Sequence, residues 1–379
     1  FLLIGENPLP NWVAAQLLVA PGGTLYLVYS DVTDKIAERL CERLGSDTQL
    51  VRVNPTDARD IYDTVRRCVS KLQGTVGLHY TGGTKAMAVH AYRAVEAALQ
   101  GGSRSAVFSY LDAEAFLLRI DPDWQEHVLF EVQPKLEDLA ALHGARLRKG
   151  SPQRSSHLWA VDTATALAQS MARGGWTAWQ AWFGQLCNAI RSHPVSGAPL
   201  PADPPLSNVR KAMCQDLGLP AHATELPPAI VDSLRPRIKW FGGEWLEHYV
   251  LAQLREIAAI TKLHDCGMSL ATNQRPGRSD FDFEFDVAAM RGYQFFGLSC
   301  TTSQEKNTAK QKLFEAYTRA RQLGGDEARV GLVCGYDDVY RFEKEVLQEW
   351  RAKGKIKVFG PRDWPDLASR LEAWLETAQ

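Results

Sequence analysis

The first 135 residues alternate two periodicities, and this alternation limits the possible folds more than any other feature of the chain. Short apolar, β-branched and aromatic runs recur as FLLIG, TLYLVYS, LVRVN, TVGLHYT and SAVFSYL. Between them lie VTDKIAERLCERL, DARDIYDTVRRCVSKL and TKAMAVHAYRAVEAAL, whose apolar residues fall three and four apart. Runs of the first kind read as strands and those of the second as helices. Repeated in that order, they predict an α/β fold: a mainly parallel sheet with helices on both faces and ligands at the carboxyl ends of the strands. AFLLRI predicts one more strand, and PKLEDLAALHGARL a helix leaving the sheet.

The chain then changes character twice. HLWAVDTATALAQSMARGGWTAWQAWFGQLCNAI is helical in pattern and rich in tryptophan, and SHPVSGAPLPADPPL is a proline-rich connection that cannot continue a helix. The spacing of Trp176, Trp179 and Trp182 favours core or dimer contacts. From about residue 236 the order is a helix (GEWLEHYVLAQLREIAAI), three strands (HDCGMSLAT, DFDFEFDVAAM and YQFFGLSCT), a helix (EKNTAKQKLFEAYTRARQL) and a strand (ARVGLVCGY). This predicts a second α/β core. The expected division is 1–150, 151–235 and 236–379.

Composition narrows the function classes. With 43 basic and 44 acidic residues the formal charge is -1, so any nucleic-acid contact is local. A chain 45% hydrophobic and 23% charged reads as a soluble globular protein. Its seven cysteines form no CxxC pair and no Cys/His set at zinc spacing, which predicts reduced thiols and a cytoplasmic setting. No apolar run reaches the ~18 residues of a membrane span, and no membrane partner is expected.

Two motifs carry chemistry. HYTGGTKAM, residues 79–87, follows a strand and opens a helix. Its glycines let backbone approach a ligand, and the helix start offers free N–H groups to an anion. Thr81 and Thr84 add hydroxyls and Lys85 a charge. The spacing matches neither GxxxxGK[ST] nor GxGxxG. Two readings stand from these residues: a site for some other phosphate ligand, or a tight turn capped by Thr84. The second motif is DFDFEFD, residues 280–286. On a strand it sets Asp280, Asp282, Glu284 and Asp286 on one face, neighbours roughly 6 to 7 Å apart. Such a row requires water, basic side chains or a metal ion; a solvated hairpin face and a metal site both remain open.

GENPLPN, VYSDVTDKIAERL and HYTGGTKAMAVHAY together resemble the CARF domain, the sensor of cyclic oligoadenylates in type III CRISPR defence. The resemblance implies a Rossmann-like sensor over 1–150. Its ligand would be cyclic tetra-adenylate or another cyclic oligoadenylate, contacted by Tyr80, Thr81, Gly82, Gly83, Thr84, Lys85 and Met87. Asn7, Pro8, Leu9, Pro10 and Asn11 would border the pocket, with Ser30, Asp31 and Thr33. It also implies a homodimer, the site being shared across its two-fold axis.

Residues 236–379 are similar to the PD-(D/E)xK nuclease domain of the Card and Can effectors, a restriction-endonuclease-like α/β fold, with 151–235 as a helical linker region that passes the signal. That family's pattern has a glutamate in a WLE helix segment, an aspartate on the second strand and an acid-x-Lys pair on the third. Here Glu247 and Asp286 match the first two and would hold Mg²⁺ or Mn²⁺, with Glu284 beside Asp286. The third strand departs from the pattern: Ser299, Cys300 and Thr301 stand where acid-x-Lys belongs. Asp280, Asp282 or Glu284 could replace the acid, and Lys306, Lys310 or Lys312 on the next helix the lysine. The implied function is a metal-dependent nuclease, switched on by the messenger and cutting DNA and/or RNA. Two alternatives stay open: a sensor whose nuclease-like domain binds nucleic acid or a protein partner without cutting, and a ring nuclease that opens its own messenger.

Overall fold

The structure, a computed structural model, describes residues 1–45, 47–154, 158–192, 197–201, 206–272 and 283–377. The amino-terminal part runs β1 (Leu2–Leu3), α1 (Leu9–Leu18), β2 (Leu25–Tyr29), α2 (Asp34–Leu44), β3 (Thr48–Arg52), α3 (Ala58–Val69), β4 (Val76–His79), α4 (Lys85–Leu99), β5 (Ala106–Asp112), β6 (Leu117–Ile120) and β7 (Trp124–His127). These strands form one sheet in the order β3-β2-β1-β4-β5-β6-β7. It is parallel from β3 to β5 and antiparallel beyond. The strand order reverses direction at β1, so the loops after β1 and β4 meet at a switch point, where such sheets bind ligands.

After α5 (Leu136–Leu142) the chain builds the helical region: α6 (Val161–Ala172), α7 (Trp176–Ser192), β8 (Ala198–Pro199), α8 (Ser207–Asp216), β9 (Glu225–Leu226) and α9 (Pro228–Leu234). The carboxyl-terminal part follows as α10 (Trp245–Thr261), β10 (Leu263–Ala271), β11 (Glu284–Arg291), β12 (Gln294–Thr301), α11 (Lys306–Gly324), β13 (Arg329–Cys334), α12 (Val339–Glu349), β14 (Ile356–Phe359) and α13 (Leu367–Thr377). Its sheet order is the chain order, β10 to β14, with antiparallel hairpins first and parallel strands last. The α/β fold class read from the sequence is borne out.

The packing corrects one expectation. The helical region was expected to connect the two sheets, but it covers the far face of the second one. Trp179, Trp182 and Leu186 of α7 share a core with Leu246 and Tyr249 of α10 and with Val287, Phe296 and Leu298 of the sheet. The near face of the same sheet joins the amino-terminal domain directly: Leu9, Val13, Leu40 and Phe116 lie in one core with Phe285, Tyr293, Phe295 and Leu313. The rings of Phe116 and Tyr293 are 5.7 Å apart. The chain between α5 and α6 runs along β10, where Gln153 pairs with Met268. Arg154 clamps that edge, donating to Asp265 at 2.6 and 2.7 Å and to Glu137. The physical reason is surface: a five-stranded sheet has two apolar faces, and both must be covered.

All seven cysteines carry free thiols. Among the described residues no helix is long and apolar enough to cross a membrane.

Candidate functional site

At the sensor switch point, the turn after β4 packs backbone against backbone. Gly83 has φ +75°, and a Cβ on Gly82 would run into the carbonyl of Leu3. Glycine is required at both positions. Asn11 is fully buried; its Nδ2 donates to Leu3 O at 2.9 Å, and its Oδ1, which has no hydrogen-bond donor, faces Gly82. Thr81 Oγ1 accepts from Leu111 N at 2.6 Å, tying the turn to β5. Thr84 caps α4, accepting from Met87 N at 3.2 Å, while its hydroxyl reaches Pro55 O. Lys85 is exposed at the helix start.

The loop after β3, which sequence reasoning did not single out, joins this rim. A cavity of about 400 Å³ opens there beside Asp31, Arg52, Asn54 and Pro55. Asp31 is paired with Arg52 at 2.5 Å. Tyr80 donates to Asp121, also missed; its phenol is pushed up to about 12 by burial and by that carboxylate. Proline loops and lone acids carry too little pattern to be found from one sequence.

Several expected pocket residues are placed otherwise. Leu9 and Met87 are core side chains, at most 1% exposed, because each lies on the inward face of its helix. Pro8 is buried as well, whereas Pro10 is half-buried. Ser30 and Thr33 are buried and use their hydroxyls on their own turn. Asn7 turns away from the glycine turn: its Oδ1 accepts from Leu9 N at 3.0 Å, and its amide nitrogen lies against Gly325 of the second domain.

In the second domain, Glu247 sits in the first turn of α10 and Asp286 near the start of β11. Asp286 Oδ2 accepts from Ser299 Oγ at 2.9 Å and from Cys300 N at 2.6 Å. Lys312 Nζ lies 3.8 Å from the same oxygen. Burial, then the charge of Asp286, pushes the Glu247 carboxyl up to about 8; Lys312 opposes this. A buried Glu247 carboxyl beside a second carboxylate fits a place for a bound cation. Cys300, the residue between the expected acid and lysine positions, is buried against them, and its thiol is driven well above its ordinary value by burial and by both carboxylates.

Two expectations about this site change. Glu284 is exposed and 3.7 Å from Arg148, although its charge still acts on Glu247. The strand pleat breaks there: Ser269, with φ +53°, lies between the pairs Met268–Val287 and Leu270–Phe285, and Phe285 and Val287 enter opposite cores. Lys310 does not join Lys312 at the site but pairs with Glu349 at 2.7 Å, as Lys306 pairs with Glu345. At 100° per residue, positions 310 and 312 lie on nearly opposite sides of a helix. The Thr301 hydroxyl accepts from Ser303 N. Asp280 and Asp282 lie outside the described residues.

The comparisons agree with this architecture. Residues 235–378 match the family model described as Card1-like, endonuclease domain. No curated protein matches in sequence. Protein VC1899 from Vibrio cholerae is similar in structure, with TM-score 0.77 and 15% identity, over 100% of this chain and 97% of that one. Can2 from Sulfobacillus thermosulfidooxidans, solved in complex with cyclic tetra-adenylate, is similar with TM-score 0.70 and 16% identity, over 99% and 96%. The resemblance read from the sequence holds at the level of fold: residues 235–378 match the Card1-like endonuclease domain, and nearly the whole chain shares the fold of Can2.

Proposed function

We propose that the chain is a nuclease activated by a cyclic oligoadenylate, cutting DNA or RNA phosphodiesters in type III CRISPR defence inside the cell. Residues 1–150 sense the messenger, 236–379 cut, and 151–235 buttress the cutting domain. The active form is a homodimer that shares the messenger site across its axis. The observation that carries this reading is the meeting of Asp286, Lys312 and the uncomfortable carboxyl of Glu247 in the domain that matches the endonuclease family.

Glu247 and Asp286 would hold Mg²⁺ or Mn²⁺, which supplies polarisation of the phosphodiester and a lowered pKa for the attacking water. Ser299 and the Cys300 N–H both bond the same oxygen of Asp286, which orients its carboxylate. Lys312 restores the positive charge missing from the third strand and favours an anionic phosphate beside two acids. At the sensor, the Gly82–Gly83 backbone, Thr84 and Lys85 offer N–H groups and charge to the messenger's phosphates. Can2, of like fold, binds cyclic tetra-adenylate, which supports a ligand of that class.

The non-cutting alternative is favoured by one observation: among the described residues no three His, Cys, Asp or Glu side chains are grouped to hold a metal. Incubation with Mn²⁺, cyclic tetra-adenylate and labelled single- and double-stranded DNA and RNA separates the two readings. Cleavage that Asp286→Ala abolishes is expected. Messenger binding without cleavage of any substrate would establish the alternative, and mass analysis of the recovered ring detects opening of the messenger.

A further inference from the structure

Helix α11 reaches from one candidate site to the other. Its first half carries Lys312, 3.8 Å from Asp286. Just past its last turn, Gly325 meets Asn7 of the sensor loop that follows β1. Lys312 and Gly325 are thirteen positions apart, roughly 20 Å along a helix. The same sensor loop begins at Gly5, whose α-carbon backs onto Gly82 and Gly83. A short run of contacts therefore leads from the glycine turn through residues 5–7 to α11 and on to Asp286.

The far end of α11 is held from the sensor side by specific contacts. Gly325 has φ +67° and ψ -147°, a conformation that only glycine adopts readily. A Cβ there would collide with Asn7 Nδ2 and lie 2.9 Å from Glu327 Oε2. The Leu9 N–H, bonded to Asn7 Oδ1, fixes which way the amide points. His143, on the turn after α5, places Nε2 2.8 Å from Leu323 O. The helix face bearing Ala309, Leu313, Ala316, Ala320 and Leu323 is buried in the core shared by both domains. A packed helix moves as a rod, so a small shift at one end is delivered to the other.

We infer that Asn7 is a positioning residue for Lys312: messenger binding shifts the loop at 5–8, and the Asn7–Gly325 contact passes that shift along α11 to the Lys312–Asp286 pair. This rests on the sensor and nuclease roles proposed above. A separation of 3.8 Å is long for an ion pair, leaving room for such a shift to tighten it.

The test uses the full chain with cyclic tetra-adenylate. Ring affinity is measured first, by calorimetry, for wild type, Asn7→Ala, Asn7→Asp and Gly325→Ala. Asn7→Asp keeps the acceptor for Leu9 N and loses the amide nitrogen. Gly325→Ala breaks the contact from the nuclease side, at a residue outside the proposed messenger site. Hydrogen exchange over 306–324 and Mn²⁺-dependent cleavage are then followed with and without saturating ring.

In wild type the ring is expected to change exchange in α11 and to raise kcat. All three variants should lose the exchange response and at least about 10-fold of the stimulation in kcat, with KM unchanged and Gly325→Ala retaining wild-type ring affinity. A ring response of wild-type size in folded Asn7→Asp and Gly325→Ala would overturn the inference. If wild type binds the ring without cutting, the nuclease role fails while the exchange response still decides the coupling. If wild type does not bind the ring, the sensor role and the inference fall together.

Discussion

Lys312 and Glu247 are the side chains on which the proposed chemistry turns. Lys312 faces Asp286 while Lys310 faces Glu349, so the two lysines separate the proposed functional cation from a surface one. Lys312→Ala is expected to lower metal-dependent cleavage by about 100-fold, and Lys310→Ala to leave it within about 3-fold; kcat and KM for each variant check this. Glu247 gives a pH prediction for the metal-free protein. Its folded carboxyl titrates at about 8 against an ordinary 4.5, so between those values the native state holds a proton that the unfolded chain has lost. Stability from this group is fully present below pH 4.5 and is lost as pH rises through 8. Glu247→Gln should therefore melt close to wild type at pH 4.5 and above it at pH 8.5, as thermal scans across that range would show. Of this site, Glu247 and Asp286 were legible in the sequence because their motif places them on a named helix and strand. The partner lysine was not fixed: three candidates on one helix differ only in azimuth, which depends on how α11 is rotated against the sheet.

At the level of elements, what could be read was whatever buries one face. Helices α2 and α3 have opposed apolar and polar faces and appear within a few residues of their expected spans. Strand β7 was missed because all four of its residues are exposed, so WQEH carries no alternation. Helix α1 was missed because LPNWVAAQLL is apolar almost all round and starts behind a proline, weakening the helical pattern. The acid row failed differently: its alternation was taken as unbroken, but a left-handed Ser269 on the neighbouring strand resets the face at Asp286. No local signal in DFDFEFD marks that break. The tryptophans of α7 were read as core or dimer contacts, and Trp179 and Trp182 are core. Trp182 is 1% exposed in a cluster that includes the β12 face. Trp182→Ala should therefore cost about 3 to 5 kcal/mol, and the nuclease sheet should share the loss. Denaturant unfolding followed by hydrogen exchange in β11 and β12 would show it; wild-type protection there would mean the helical region is a separate unit.

Across the whole molecule, the decisive fact is that the amino-terminal domain, proposed as the sensor, and the domain matching the endonuclease family share one core, whereas the intervening helices lie on the opposite face. Coupling thus requires no signal through the helical region. The sequence could not reveal this, because apolar periodicity says that a face is buried but not against which partner. The shared core has a thermodynamic consequence. A ligand that binds only the native state stabilises whatever unfolds together with its site, by RT ln(1 + [L]/Kd), roughly 2.7 kcal/mol at a hundred times Kd. Cyclic tetra-adenylate at that excess should raise the melting temperature of β11 and β12 along with that of β1 and β4, although no endonuclease residue is placed in the sensor pocket. Phe116→Ala, which removes the ring set against Tyr293, should cost about 3 kcal/mol and weaken this linkage, so that ring-induced protection is retained in the sensor sheet and reduced in the endonuclease sheet. Exchange measured over both sheets, with and without ring, decides it: equal protection of both in Phe116→Ala would show that the two domains are tied through other contacts in the shared core.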